Sequence, residues 1–136
     1  MMDELIKYAV RAREQAYVPY SGFKVGAAVQ GKSGRIYSGC NIENASYGLA
    51  NCAERTAIFK AVSEGEQELI AIAVVADTPG PVSPCGACRQ VMAEFGIEKI
   101  ILTNLRGEQR VVTLEQLLPF SFAKGDFVKD GGKNNE

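Results

Sequence analysis

The chain has 136 residues, 46% of them hydrophobic, with 15 basic and 16 acidic side chains, a net charge of −1 and no histidine. That length suits one domain, residues 1–136, large enough to bury a core. No basic stripe marks a nucleic-acid surface, no apolar run would span a bilayer, and Met1-Met2-Asp3-Glu4 lacks the basic-then-apolar layout of a secretory leader.

Residues 3 to about 17 predict an amphipathic helix, with Leu5, Ala9, Ala12 and Ala16 at helical spacing and Pro19 beyond its end. After a Pro/Gly loop, Phe23, Val25, Ala27 and Val29 alternate with Lys24, Gly26, Ala28 and Gln30, which predicts a strand over 23–30. The turn at 31–34 makes 35–40 its hairpin partner. An Asn-rich loop over 41–51 leads into a helix over 52–63, with Ala57, Ile58, Ala61 and Val62 on its apolar side and Gly65 as its stop. The nearly unbroken apolar run 69–76 reads as a strand covered on both faces. A Pro/Gly loop over 77–84 precedes a helix over 85–95 that Gly96 ends. Strands at 99–103 and 110–112 flank a turn at 104–108. Thr113 with Gln116 three residues on has the pattern of a capping box for a short helix, closed by Pro119. The tail from about 123 carries no pattern, and 131–136 is expected to be loosely ordered. This order predicts an α/β fold with a five-stranded mixed sheet flanked by helices, and it leaves the strand order open.

Two stretches carry the chemistry: Cys52-Ala53-Glu54-Arg55 and Ser83-Pro84-Cys85-Gly86-Ala87-Cys88-Arg89. Without histidine, a transition-metal site must be built on thiolates. A catalytic zinc takes three protein ligands and leaves its fourth position to water. Cys52, Cys85 and Cys88 supply three, and Cys-x-Glu with Pro-Cys-x-x-Cys is similar to the signature of zinc deaminases, whose Glu moves protons without binding metal. Both groups sit at expected helix starts, where partial positive charge lowers a thiol pKa. Three thiolates over-neutralise the ion, so Arg55 and Arg89 are the candidates for charge compensation. Glu54 is the candidate catalytic proton shuttle. A Cys-x-x-Cys also suits a redox pair or half of a structural zinc knuckle, and four cysteines permit a closed site with Cys40 as last ligand. Neither reading explains Glu54 or Pro84, and Cys40 lies too far from Cys52 for a knuckle. Cys40 otherwise reads as a small buried hydrophobe. Cysteines beside a metal site, without a secretory signal, point to the cytoplasm.

Five stretches, in order, resemble the short homotetrameric zinc-dependent cytidine deaminases: Tyr20-Ser21-Gly22-Phe23-Lys24-Val25-Gly26-Ala27-Ala28, Gly39-Cys40-Asn41-Ile42-Glu43-Asn44-Ala45-Ser46-Tyr47, Cys52-Ala53-Glu54-Arg55-Thr56-Ala57, Pro84-Cys85-Gly86-Ala87-Cys88-Arg89-Gln90 and Leu117-Leu118-Pro119-Phe120-Ser121-Phe122. The resemblance implies a three-layer α-β-α sandwich around the five-stranded sheet. It implies hydrolytic deamination of free cytidine and 2′-deoxycytidine, in pyrimidine salvage, with one zinc per subunit on Cys52, Cys85 and Cys88 and Glu54 as the shuttle. It further implies that Phe23 stacks on the base, that Asn41 and Glu43 bond the 3′-hydroxyl, that the Ala53 N–H holds the base carbonyl, and that the Ser83 carbonyl accepts from the leaving amine.

The family completes its sites across subunits. Ala45 and Tyr47 resemble the segment near the sugar's 5′ end, and Phe122 resembles the aromatic that caps a neighbour's base, with Phe120 two residues earlier leaving the register open. A site that reads only the 3′-hydroxyl predicts similar handling of ribo- and deoxyribonucleosides. Blasticidin-S deaminases share the metal chemistry, but the loop 41–47 favours an ordinary nucleoside. Nucleic-acid deaminases usually carry a His ligand and need a basic surface, and both are missing here. A zinc-stabilised binding module with four protein ligands is the non-catalytic alternative. The expected partners are therefore a small nucleoside and further copies of the chain, with no nucleic acid and no membrane.

Overall fold

The computed structural model describes residues 2–127; the tail 128–136, and with it the expectation for 131–136, lies outside the described residues. The elements run α1 (Met2–Arg13), β1 (Val25–Gly31), β2 (Ile36–Cys40), α2 (Ala53–Ser63), β3 (Leu69–Ala76), α3 (Gly86–Glu94), β4 (Lys99–Asn104), β5 (Gln109–Thr113) and α4 (Leu114–Leu117). Two 3-10 turns, Tyr47–Leu49 and Lys124–Phe127, sit in stretches whose sequence pattern reads as irregular.

The five strands form one sheet in the order β2-β1-β3-β4-β5. Only β3 and β4 pair in parallel; β1 with β2, β1 with β3 and β4 with β5 are antiparallel. It follows that β2, β3 and β4 point the same way. The loop after β2, the loop after β3 and the end of β4 therefore all emerge at one sheet edge, and so does the chain entering β1, because Gly26 pairs with Cys40 and Val25 with Ala76.

The apolar run of β3 is buried on both faces as its composition requires. Ala71, Ala73 and Val75 face α1 together with Ala28 and Ile101, while Ile72 and Val74 face α2 and α3 together with Ala27, Val29, Ile100 and Leu102. The result is a three-layer α-β-α sandwich with α1 alone on one side. Glycine sets the close approach of both layers. A Cβ on Gly26 would lie 2.0 Å from the Ala9 carbonyl oxygen in α1, and one on Gly39 would lie 2.6 Å from the Ala57 nitrogen in α2.

Two element ends differ from the sequence expectation by more than one residue. Helix α1 stops at Arg13 instead of about 17, because three i→i+3 turns follow and the Tyr17 N–H then bonds the Asn41 carbonyl. Strand β1 begins at Val25 instead of 23. The Asn41 side chain takes the Phe23 carbonyl and the Val25 N–H, so no ladder reaches Phe23. The capping box forms as the spacing predicts, with Thr113 Oγ1 accepting from the Gln116 N–H and the Gln116 side chain accepting from the Thr113 N–H.

Candidate active site

Cys52 and Cys85 are the residues immediately before α2 and α3, and both have extended backbones, φ −76° and −72°. The sequence pattern alone puts them one residue further on, as the first of each helix. A thiol at this position leaves the first-turn N–H groups without a side-chain cap, and those groups present positive charge to the sulfurs. Cys88 lies one turn inside α3 and is buried. The three sulfurs lie within 4.8 Å of one another, with Cys52 Sγ 3.9 Å from Cys85 Sγ and Cys85 Sγ 3.5 Å from Cys88 Sγ. Two sulfurs about 2.3 Å from a tetrahedral zinc stand about 3.8 Å apart, so the set fits that ion. Among the described residues the cluster includes neither Cys40 nor the Glu54 carboxylate. A closed four-thiolate site is therefore not what the fold builds.

Arg55 Nη2 donates to Cys52 Sγ at 3.3 Å. The neighbouring Cys88 thiol, then the Arg55 guanidinium, hold the Cys52 thiol down to about 5. Pairing with Cys52, followed by burial, pushes Cys88 up. The first negative charge of the cluster thus settles on Cys52, where the guanidinium faces it. Arg89, the other candidate, is occupied elsewhere. Its Nε donates to the Pro84 carbonyl at 2.9 Å and its Nη1 to the Leu117 carbonyl at 2.8 Å, tying α3 to the approach of Cys85 and to α4.

Glu54 is 4% exposed, and burial pushes its carboxyl up to about 7. A carboxyl poised there exchanges protons in both directions near neutral pH.

Around this cluster the sheet edge gathers most of the other sequence candidates. Asn41 Nδ2 donates to the Phe23 carbonyl at 2.8 Å and Oδ1 accepts from the Val25 N–H at 2.9 Å, which fixes Phe23 just ahead of β1 with its ring partly exposed. Glu43 accepts from the Tyr20 and Ser21 N–H groups at 3.0 and 3.1 Å and from the Ser21 hydroxyl. The Ser21 hydroxyl is the main reason its carboxyl stays below the ordinary range. Glu43, Tyr20, Ser21 and Tyr47 line a cavity of about 300 Å³. The Tyr47 ring, 77% exposed, stands edge-on to Tyr20 at 6.0 Å. Ala45 is exposed in the same loop, and Ala53 is fully buried as the first residue of α2. Ser83 is exposed in the loop before Pro84.

Phe122 stands apart. Its ring packs edge-on against Phe127 at 5.3 Å, and its carbonyl accepts from Gln90 Nε2 at 2.7 Å. Phe120 is fully exposed with φ 56°, an uncommon backbone for a bulky residue.

Sequence reasoning missed how the loop 41–51 is joined to α2. Ile42 and Asn51 exchange both main-chain hydrogen bonds at 2.9 Å, while Asn51 Nδ2 donates to Thr56 Oγ1 and Thr56 Oγ1 to the Cys52 carbonyl. The one available signal was Asn51, a side chain with both donor and acceptor atoms, standing directly before Cys52.

Residues 2–104 match the family described as the cytidine and deoxycytidylate deaminase zinc-binding region. The chain is 59% identical over 127 residues to a cytidine deaminase of Sporosarcina psychrophila, covering 92% of this chain and 93% of that one. It is 60% identical over 124 residues to a cytidine deaminase of Halalkalibacterium halodurans, covering 90% and 94%. The fold is similar to that of a crystal structure of a cytidine deaminase from Burkholderia pseudomallei, with a TM-score of 0.87, 54% identity, and coverage of 90% of this chain and 99% of that one. A cytidine deaminase structure from Mycobacterium tuberculosis matches with a TM-score of 0.77 and 40% identity, covering 89% and 96%.

Proposed function

The chain belongs to the cytidine and deoxycytidylate deaminase family, and from that membership we propose a zinc-dependent hydrolase that converts free cytidine and 2′-deoxycytidine to uridine and 2′-deoxyuridine with release of ammonia, in pyrimidine salvage. The observation that carries the reading is the convergence of three cysteine sulfurs with a buried carboxyl two residues from the first of them and no fourth protein ligand in the cluster among the described residues.

Cys52, Cys85 and Cys88 would hold one zinc ion, which when bound lowers the pKa of water toward about 7. Arg55 offsets the excess negative charge of the thiolates through its contact with Cys52. Glu54 takes one proton from the attacking water and passes it to the ring nitrogen beside carbon 4, then carries the second, from the new hydroxyl at carbon 4, to the amine as it leaves. The water oxygen ends as the new carbonyl and the amine departs as ammonia. The Ala53 N–H, which no cap side chain takes, holds the base carbonyl. The Ser83 carbonyl accepts from the leaving amine. Phe23 offers its ring face to the base, worth about 1–3 kcal/mol. After its bonds to Phe23 and Val25, Asn41 keeps one amide hydrogen and one lone pair for the sugar. Glu43, held ionised by Ser21, accepts from the 3′-hydroxyl. Neither reads the 2′ position, which supports similar use of both nucleosides.

Exposure of Cys85, Tyr47, Leu49, Phe120 and Phe122 supports a homotetramer in which Ala45, Tyr47 and Phe122 complete sites of neighbouring subunits. Use of three of the four cysteines as metal ligands, with no disulfide among the described residues, supports the reducing cytoplasm as its compartment. No helix among the described residues is long and apolar enough to cross a membrane.

The test is cytidine turnover by ultraviolet absorbance for wild type and Glu54→Gln, with zinc content measured on both. The expected result is an active wild type and a variant that keeps zinc but loses on the order of 10²–10⁴ in kcat. A zinc-loaded wild type inert toward cytidine and 2′-deoxycytidine would overturn the substrate.

A further inference from the structure

At the sheet edge, one buried polar side chain outside the motifs contacts the loop that delivers Ser83 and Cys85. Asn104, the last residue of β4, is 3% exposed. Its Nδ2 donates to the Thr78 carbonyl at 3.0 Å, the Pro79 carbonyl at 3.3 Å and Glu108 Oε1 at 2.6 Å. Its Oδ1 accepts from the Arg106 and Glu108 N–H groups, both at 3.0 Å. Arg106 Nη2 reinforces the same loop carbonyls at 3.3 and 2.6 Å.

The loop needs such donors because of its composition. Pro79, Pro81 and Pro84 have no N–H to give, so the segment 77–84 is poor in donors and must be held largely through its carbonyls. It is also tied by the Val82 N–H to the Thr103 carbonyl at 3.3 Å and by the Arg89 Nε to the Pro84 carbonyl. Asn104 and Arg106 therefore hold the first half of the loop, with Asn104 the buried member of the pair, and Thr103 and Arg89 tie the half that follows.

We propose that Asn104 is a positioning residue for the deamination: by holding the Thr78 and Pro79 carbonyls it sets where the loop 77–84 places the Ser83 carbonyl and Cys85. The inference rests on the assignment of Ser83 and Cys85 to the site. The group does not touch substrate and acts through the backbone it clamps. Misplacement of a reacting group by about 1 Å costs on the order of 10²-fold in rate, so a loosened loop is visible in kcat.

The experiment compares kcat per bound zinc, KM, zinc content and Tm in the full chain for wild type, Glu108→Gln, Asn104→Ala and the double variant Asn104→Asp/Glu108→Gln. In the double variant the new carboxylate would still accept from the two turn N–H groups and from the new side-chain amide opposite it. The β4–β5 turn then keeps its bonds, but the Asn104 donation to Thr78 and Pro79 is lost and only Arg106 Nη2 still donates to those two carbonyls. The expected result is a fall in kcat per bound zinc on the order of 10- to 100-fold in both Asn104 variants, with KM little changed. Glu108→Gln, which leaves the loop bonds in place, is expected to match wild type. Wild-type kcat per bound zinc in the Asn104 variants, with only Tm or zinc occupancy lowered, would make Asn104 merely structural and overturn the proposal. So would an equal loss in Glu108→Gln, or failure of both Asn104 variants to fold. A wild type inert toward cytidine sinks the substrate reading instead, and is seen before any variant is compared.

Discussion

Cys40 and Cys52 both end extended segments, yet only Cys52 joins the metal-ligating cluster. Cys40 sits at the end of β2, where burial pushes its thiol up, away from the thiolate form a metal needs. Cys52 has the α2 first turn behind it and the Arg55 guanidinium beside it. Cys40→Ser is therefore expected to leave zinc at about one per chain, while Cys85→Ser strips the metal and the activity together; metal analysis after dialysis against a weak chelator decides both. Zinc loss in Cys40→Ser would restore the four-thiolate site. The two arginines divide in the same way. Arg55 and Arg89 each directly follow a cysteine motif, and only geometry shows that one faces a thiolate while the other braces Pro84 and Leu117.

At the scale of elements, Gly26 and Gly39 let helices press onto the sheet from opposite sides. An added Cβ would lie 2.0 Å from the Ala9 oxygen and 2.7 Å from the Arg13 nitrogen at Gly26, and 2.6 Å from the Ala57 nitrogen and 2.9 Å from Thr56 Cβ at Gly39. Backbone atoms yield poorly, so Gly26→Ala and Gly39→Ala should each cost about 1–3 kcal/mol by denaturant titration. Their catalytic effects should differ. Gly39→Ala displaces α2, whose first turn carries Glu54 and follows Cys52, and should lower kcat per bound zinc. Gly26→Ala displaces α1 in the other layer and should spare it. Equal kcat losses in the two would mean that the layers do not move independently of the site.

For the whole molecule, the proposed sharing of sites between subunits makes predictions that a single chain cannot meet. Phe122→Ala should weaken substrate binding by about 1–3 kcal/mol, read as a rise in KM, because its own chain gives the ring only Phe127 as an aromatic partner among the described residues. Glu54→Gln should lose on the order of 10²–10⁴ in kcat. If Phe122 caps a neighbour's site, co-refolding the two variants rebuilds sites that have Glu54 from one chain and Phe122 from another. Activity at low substrate should then exceed the sum of the separate preparations. No gain on mixing, or an active monomer by sedimentation, would remove Phe122 and Tyr47 from the shared site.

Element types, zinc chemistry and the three candidate ligands were legible in the amino-acid order, since these depend on local properties: apolar periodicity, proline and glycine placement, and Cys-x-Glu with Pro-Cys-x-x-Cys at helix starts. So was the Thr113 capping box, a contact among residues three apart. The strand order came from folding alone, because parallel pairing of β3 with β4 places distant loops at one edge and spacing does not encode which strands meet. Folding also ended α1 at Arg13 and started β1 at Val25, where Asn41 competes for backbone groups far from it in sequence. It likewise set the division of labour between Arg55 and Arg89 and the clamp of Asn104 on the proline-rich loop. Each of these is a hydrogen bond or strand pairing between residues that only folding makes neighbours, so the pattern of one segment cannot contain it.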